Sequence, residues 1–73
     1  MGRRLRGLKA RQVINAFIRA GGIKKLGKGS HINIKMPNGA IITIPGRGEL
    51  KVGLIKAAIR KSGLTEEQFL KFL

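Results

Sequence analysis

The sequence predicts an α+β fold of order α-β-β-β-α with a short C-terminal helix, and three observations carry that expectation. Apolar residues recur at helical spacing over residues 9–20 and again over 52–62. Between these stretches the period falls to two, and Gly, Pro and Asn gather where the period changes. Three antiparallel strands with both longer helices on one face satisfy this pattern and leave the opposite sheet face to solvent. A chain of 73 residues makes one domain, and at that size only about 60% of the unfolded surface can be buried. Residues 1–8 read as a flexible basic arm broken by Gly2 and Gly7, and 9–73 as the folded domain.

From Lys9 to Ala20, Val13, Ile14, Phe17 and Ile18 form the apolar stripe of the first helix. Gly21 and Gly22 end it, since glycine accepts the left-handed geometry of a C-cap. Ile23 to Leu26 is a short strand, followed by a tight connection in which Gly27 and Gly29 flank Lys28. From Ser30 to Met36, Ile32, Ile34 and Met36 face one way and His31, Asn33 and Lys35 the other. Pro37-Asn38-Gly39 signals a hairpin, with Asn-Gly suiting a type I′ turn. The returning strand runs from Ala40 to Ile44 and stops at Pro45. Its Ala40, Ile42 and Ile44 are expected inside, and the loop Pro45-Gly46-Arg47-Gly48 allows close backbone approach. Val52, Ile55, Ala58 and Ile59, widened by Leu54, make the stripe of the second helix, which Gly63 ends. In the last helix Thr65 is the N-cap, Gln68 returns the capping-box bond, and Leu64 and Phe69 occupy the staple positions. The expected core is centred on Phe17, Ile34, Ile44, Ile55 and Phe69.

Charge narrows the function. Sixteen Lys and Arg stand against three acids, a formal net charge of +13. Ten of the basic side chains lie in residues 1–36, which hold no acid. Such an imbalance favours a polyanionic partner, and counterion release from a phosphate backbone would drive its binding. RNA is the expected partner. The apolar stripes are needed for the core and no run reaches the roughly 18 residues of a membrane span, so no membrane role is expected and the cytoplasm is the expected location. With no cysteine and no cluster of metal ligands, neither a disulfide nor a metal cofactor is expected.

His31 is the only histidine. Cleaving a phosphodiester without a metal requires a proton-transfer group near neutral pH and positive charge for the phosphorane; in RNA the 2′-hydroxyl itself can attack. Imidazole, whose ordinary pKa is about 6.5, suits the proton transfer. Gly27-Lys28-Gly29-Ser30 just before it can offer backbone N–H groups and an ammonium to phosphate. Lys28, Gly29 and Ser30, with Lys24, Lys25 and Lys35, are therefore the candidate RNA- and phosphate-binding residues. The competing reading is a polar side chain on a surface strand, in a module that binds structured RNA through shape and phosphate contacts without chemistry. No Ser-His-Asp or Cys-His arrangement is available, because the chain has neither aspartate nor cysteine. The Gly-Lys-Gly-Ser stretch lacks the spacing of a P-loop.

Gly21-Gly22, Lys28-Gly29-Ser30-His31, Asn38-Gly39, Thr43-Ile44-Pro45, Glu49-Leu50-Lys51, Ala57 to Ile59, Ser62-Gly63-Leu64-Thr65 and Glu67-Gln68-Phe69 together resemble the HicA family of toxins. The resemblance runs from about Arg11 to Leu73. It implies a fold like the double-stranded RNA-binding domain and a metal-independent endoribonuclease that cuts messenger RNA. It also implies an acidic HicB-type antitoxin covering the active site. The family's catalytic histidine lies in the Gly-Ser-His segment, hence His31, with Lys28, Gly29 and Ser30 as its phosphate-side surroundings. Three positions depart from the family pattern. Ile32 stands where many relatives have a second histidine, Ile23 where an aromatic is frequent, and Lys51-Val52-Gly53 replaces Lys-Pro-Gly. Alternation turns Ile32 inward, away from the reacting face, so the first departure removes no chemistry.

Overall fold

The computed structural model describes residues 5–73. Its elements are α1 (Ala10–Arg19), β1 (Ile23–Leu26), β2 (His31–Lys35), β3 (Ile41–Pro45), α2 (Val52–Ser62) and α3 (Glu66–Lys71). The strands form one antiparallel sheet in the order β1-β2-β3, so the order is the one the periodicity predicts. Ile23 pairs with Lys35 and Leu26 with Ile32; His31 pairs with Pro45 and Lys35 with Ile41.

One sheet face and the helices share a single core. Val13, Ile14 and Phe17 from α1 meet Ile34, Ile42 and Ile44 from the sheet and Ile55, Ala58 and Ile59 from α2, and Phe69 of α3 closes the end. The Phe17 and Phe69 rings sit 4.9 Å apart and tilted by 49°. All five residues expected at the centre of the core are fully buried. Ile18 and Leu54, expected within the stripes, are instead partly in solvent, and Ala10 and Ala16 complete the inner face of α1. No helix among the described residues is long and apolar enough to cross a membrane.

The arm expected over 1–8 is corrected for its second half. Leu5 is fully buried in the core. The Leu50 N–H donates to the Leu8 carbonyl at 2.9 Å, and the Ala10 N–H donates to the Gly48 carbonyl at 2.8 Å. The segment leading into α1 is therefore pinned beside the loop before α2; the rest of the expected arm, residues 1–4, lies outside the described residues.

The helix ends follow local chemistry. At the C-terminus of α1 the Gly21 N–H donates to the Ile18 carbonyl and the Gly22 N–H to that of Phe17. With Gly21 at φ 103° this is a Schellman cap. Arg19 extends from this end to donate through Nη1 to the Phe72 carbonyl at 2.9 Å, tying α1 to the end of α3. At α3 the capping box forms as expected: the Gln68 N–H donates to Thr65 Oγ1 at 3.1 Å and the Thr65 N–H to Gln68 Oε1 at 3.0 Å.

The β2–β3 turn corrects the type I′ expectation. The Gly39 N–H donates to the Met36 carbonyl at 2.9 Å, and among the described residues only glycines have positive φ. Type I′ needs positive φ at both central residues, so Asn38 cannot belong to one. The geometry is a type I turn with Pro37 in second position, followed by Gly39 at φ 88°, the usual three-residue hairpin. Asn38 serves the turn through its side chain: Oδ1 accepts from the Ala40 N–H at 2.9 Å while Nδ2 donates to the Lys61 carbonyl at 3.3 Å. The hairpin tip is thus clipped to the last turn of α2.

Candidate functional site

His31 is exposed at the first residue of β2. The turn before it closes with the His31 N–H donating to the Lys28 carbonyl at 3.1 Å. Gly29 sits at φ 61° and Ser30 does not share its positive φ, which defines a type II′ turn with glycine in its first central place. Two more glycines hold this turn from either side. A Cβ on Gly27 would lie 2.5 Å from the His31 carbonyl oxygen, and one on Gly46 would collide with the Ser30 carbonyl oxygen. That same oxygen accepts the Gly46 N–H at 2.6 Å. The expectation that the loop after β3 makes a close backbone approach is met at Gly46, and what it approaches is the histidine turn. Neither the Gly29 nor the Ser30 N–H donates to another group among the described residues. Both are left available to an anion.

Strand register decides which side chains share the histidine's face, since directly paired residues stand on the same side of a sheet. His31 is level with Pro45; the next row is Lys25, Asn33 and Thr43, and the last is Ile23, Lys35 and Ile41. Successive rows are about 6.8 Å apart along the strands. Lys25 and Lys35 therefore join His31 and the Lys28-Gly29-Ser30 turn on the open face. Lys24 does not: it pairs with Ile34 and stands on the helix side of the sheet, although its side chain is exposed. The grouping of Lys24 with the other site residues is corrected on that ground.

Two residues that composition does not single out belong to this surface. The Thr43 hydroxyl donates to Asn33 Oδ1 at 2.7 Å, which leaves the Asn33 amide N–H groups for another acceptor. Asn33 Nδ2 lies 3.5 Å from the place a Gly27 Cβ would take, so this donor is on the β1 side, toward the histidine turn. Period-two alternation already put Asn33 on this face; its orientation depends on Thr43 from another strand. No side-chain hydrogen bond reaches the imidazole among the described residues, which also hold no group of three or more potential metal ligands.

The fold and this surface define a class: a small α+β domain with helices on one sheet face and, on the other, a basic patch around one histidine. The chain belongs to the HicA toxin family, whose model, described as the HicA toxin of bacterial toxin–antitoxin systems, matches residues 10–64. It is the toxin component of such a system, and a cognate antitoxin is its partner. No individual curated protein matches the chain.

Proposed function

We propose that this toxin is a metal-independent endoribonuclease that cleaves messenger RNA in the cytoplasm, with His31 as its catalytic residue. The observation that carries the reading is the pairing of an exposed imidazole with two unengaged N–H groups, those of Gly29 and Ser30, in the turn that delivers it. His31 takes the proton from the 2′-hydroxyl as that oxygen attacks phosphorus, or gives one to the departing 5′-oxygen. One imidazole cannot hold both protonation states at once, so water, substrate or a lysine carries the other proton. Lys28 and the turn N–H groups hold the non-bridging oxygens, where charge grows in the transition state. Lys25, Lys35 and Asn33 bind the strand beyond the scissile phosphate. The antitoxin, in this reading acidic, covers the same face and matches carboxylates to Lys25, Lys28 and Lys35.

Cleavage of RNA in EDTA by the wild type and by His31→Ala tests the proposal. General acid–base catalysis is typically worth about 10²–10⁴-fold, so the variant should lose at least that order of rate while its RNA affinity changes little. Products should end in a 2′,3′-cyclic phosphate or its hydrolysed form. Equal cleavage by both proteins would remove His31 from the chemistry, and none by antitoxin-free wild type would leave a module that binds RNA without chemistry.

A further inference from the structure

The two edges of the sheet are built differently. The outer edge of β1 carries Lys24, one of the two lysines at the centre of that strand, a usual guard against unwanted strand pairing. β3 has no such guard: its sequence is Ile-Ile-Thr-Ile-Pro, without a charge. Two bonds fix which of its backbone groups point outward. The Met36 N–H donates to the Ala40 carbonyl and the Gly46 N–H to that of Ser30. By the alternation of an antiparallel ladder, Ala40, Ile42, Ile44 and Gly46 face β2. Ile41 and Thr43 then turn both N–H and C=O away from the sheet, and Pro45 its C=O. β3 has no neighbour but β2 among the described residues.

Side chains line both sides of this open edge. On the helix side a groove of about 240 Å³ lies between β3 and α2, lined by Ile42, Thr43, Leu54, Ala57, Ala58 and Lys61. On the open face Ile41 is 47% exposed, next to Lys35. An added strand, whose side chains alternate between the two faces, would place apolar residues against Leu54 and Ala57 on one side and Ile41 on the other. The charges select its chemistry. Lys61 borders the groove and Lys35 the opposite face, and the chain as a whole carries +13. A second copy would bring two such charges edge to edge, whereas an acidic chain gains from the same field.

From this we infer that the antitoxin contributes an extended segment, apolar at alternate positions and flanked by carboxylates, that pairs with β3 as a fourth strand. The inference rests on the reading of an acidic antitoxin but adds a separate site, at the sheet edge rather than over His31. Strand addition of this kind draws affinity from main-chain hydrogen bonds and specificity from the pockets beside them.

The test uses the full toxin and its cognate antitoxin. In free toxin the Ile41 and Thr43 amides should exchange rapidly with solvent, and in the complex both should become protected. Thr43→Pro removes the outward N–H without touching the ladder to β2, and Thr43→Ala is its control, since both lose the Thr43–Asn33 bond. Affinity should fall about tenfold or more from Thr43→Ala to Thr43→Pro, the loss expected for one unmade main-chain bond and its stranded partner. A complex in which both amides still exchange freely overturns the inference and leaves the antitoxin reading standing. No binding at all overturns both. Protection that appears instead when free toxin dimerises at rising concentration replaces the antitoxin segment with a second copy and overturns the assignment.

Discussion

Exchanging glycine for alanine at two positions should move stability in opposite directions. At Gly22 an added Cβ would lie 2.6 Å from Ile34 Cγ2, 2.8 Å from the Phe17 carbonyl oxygen and 2.9 Å from Met36 Sδ. The Met36 side chain can swing aside. Phe17 O cannot, because it accepts the Gly22 N–H at 2.9 Å in the helix cap, and Ile34 is fully buried in the central strand. Forcing extra volume into such a site costs about 1–3 kcal/mol. A chain this long has about 4–11 kcal/mol of stability in total, so Gly22→Ala is a serious loss. At roughly 4–8 °C per kcal/mol for a domain of this size, Tm should fall by at least several degrees. Gly53, in the first turn of α2, has nothing within 4 Å of its would-be Cβ and no positive φ. Alanine there restricts the unfolded chain and favours the helix, a gain of about 0.5 kcal/mol or slightly more. Circular dichroism against temperature and urea, with unchanged m-values, measures both. A Gly22→Ala protein melting within a degree of wild type would refute the tight seating of the α1 cap on β2.

Two further outcomes follow from the caps and the register. Thr65→Ala removes the acceptor of the Gln68 N–H and should cost about 1 kcal/mol in urea denaturation, with faster amide exchange in α3 and little change in Thr65→Ser; an unchanged midpoint for the alanine variant would count against the cap. If RNA lies over the His31 face, replacing Lys25 or Lys28 by alanine should each lower the slope of log K against log salt by roughly 0.7 for a single strand. Lys24→Ala should change it least, and equal slopes for all three would show that register does not sort these lysines.

The core was readable because it rests on period. Phe17, Ile34, Ile44, Ile55 and Phe69 each sit on a stripe that only one arrangement of helices and strands can bury, and all five are fully buried. Leu5 has no such stripe. It is a single apolar residue among Arg3, Arg4, Arg6 and Gly7, and its burial follows from the pairing of the Leu8 and Ala10 backbones with the loop at Gly48 and Leu50, a long-range contact without local pattern. The hairpin was legible in place but not in type. Asn-Gly alone suggests type I′, yet Pro37 before it fits the second place of a type I turn, and the Asn38 side chain finds partners in Ala40 and Lys61 that reward negative φ.

The site divides along the same line. That His31 faces solvent follows from Ile32 and Ile34 alone, because alternation assigns the face of every residue in the strand. Which lysines accompany it does not follow from composition, since Lys24 and Lys25 are neighbours in the same acid-free stretch and point to opposite faces. Their separation appears only when Lys25 is paired with Asn33 and Lys24 with Ile34. The two lysines then have different physical consequences: Lys25 adds charge beside the histidine, while Lys24 carries its charge along the free edge of β1. β3 has neither form of protection, its outward N–H groups at Ile41 and Thr43 being flanked by apolar side chains on both faces. A charge distribution that guards one edge and leaves the other bare is what a sheet needs if its bare edge is held for one particular partner strand.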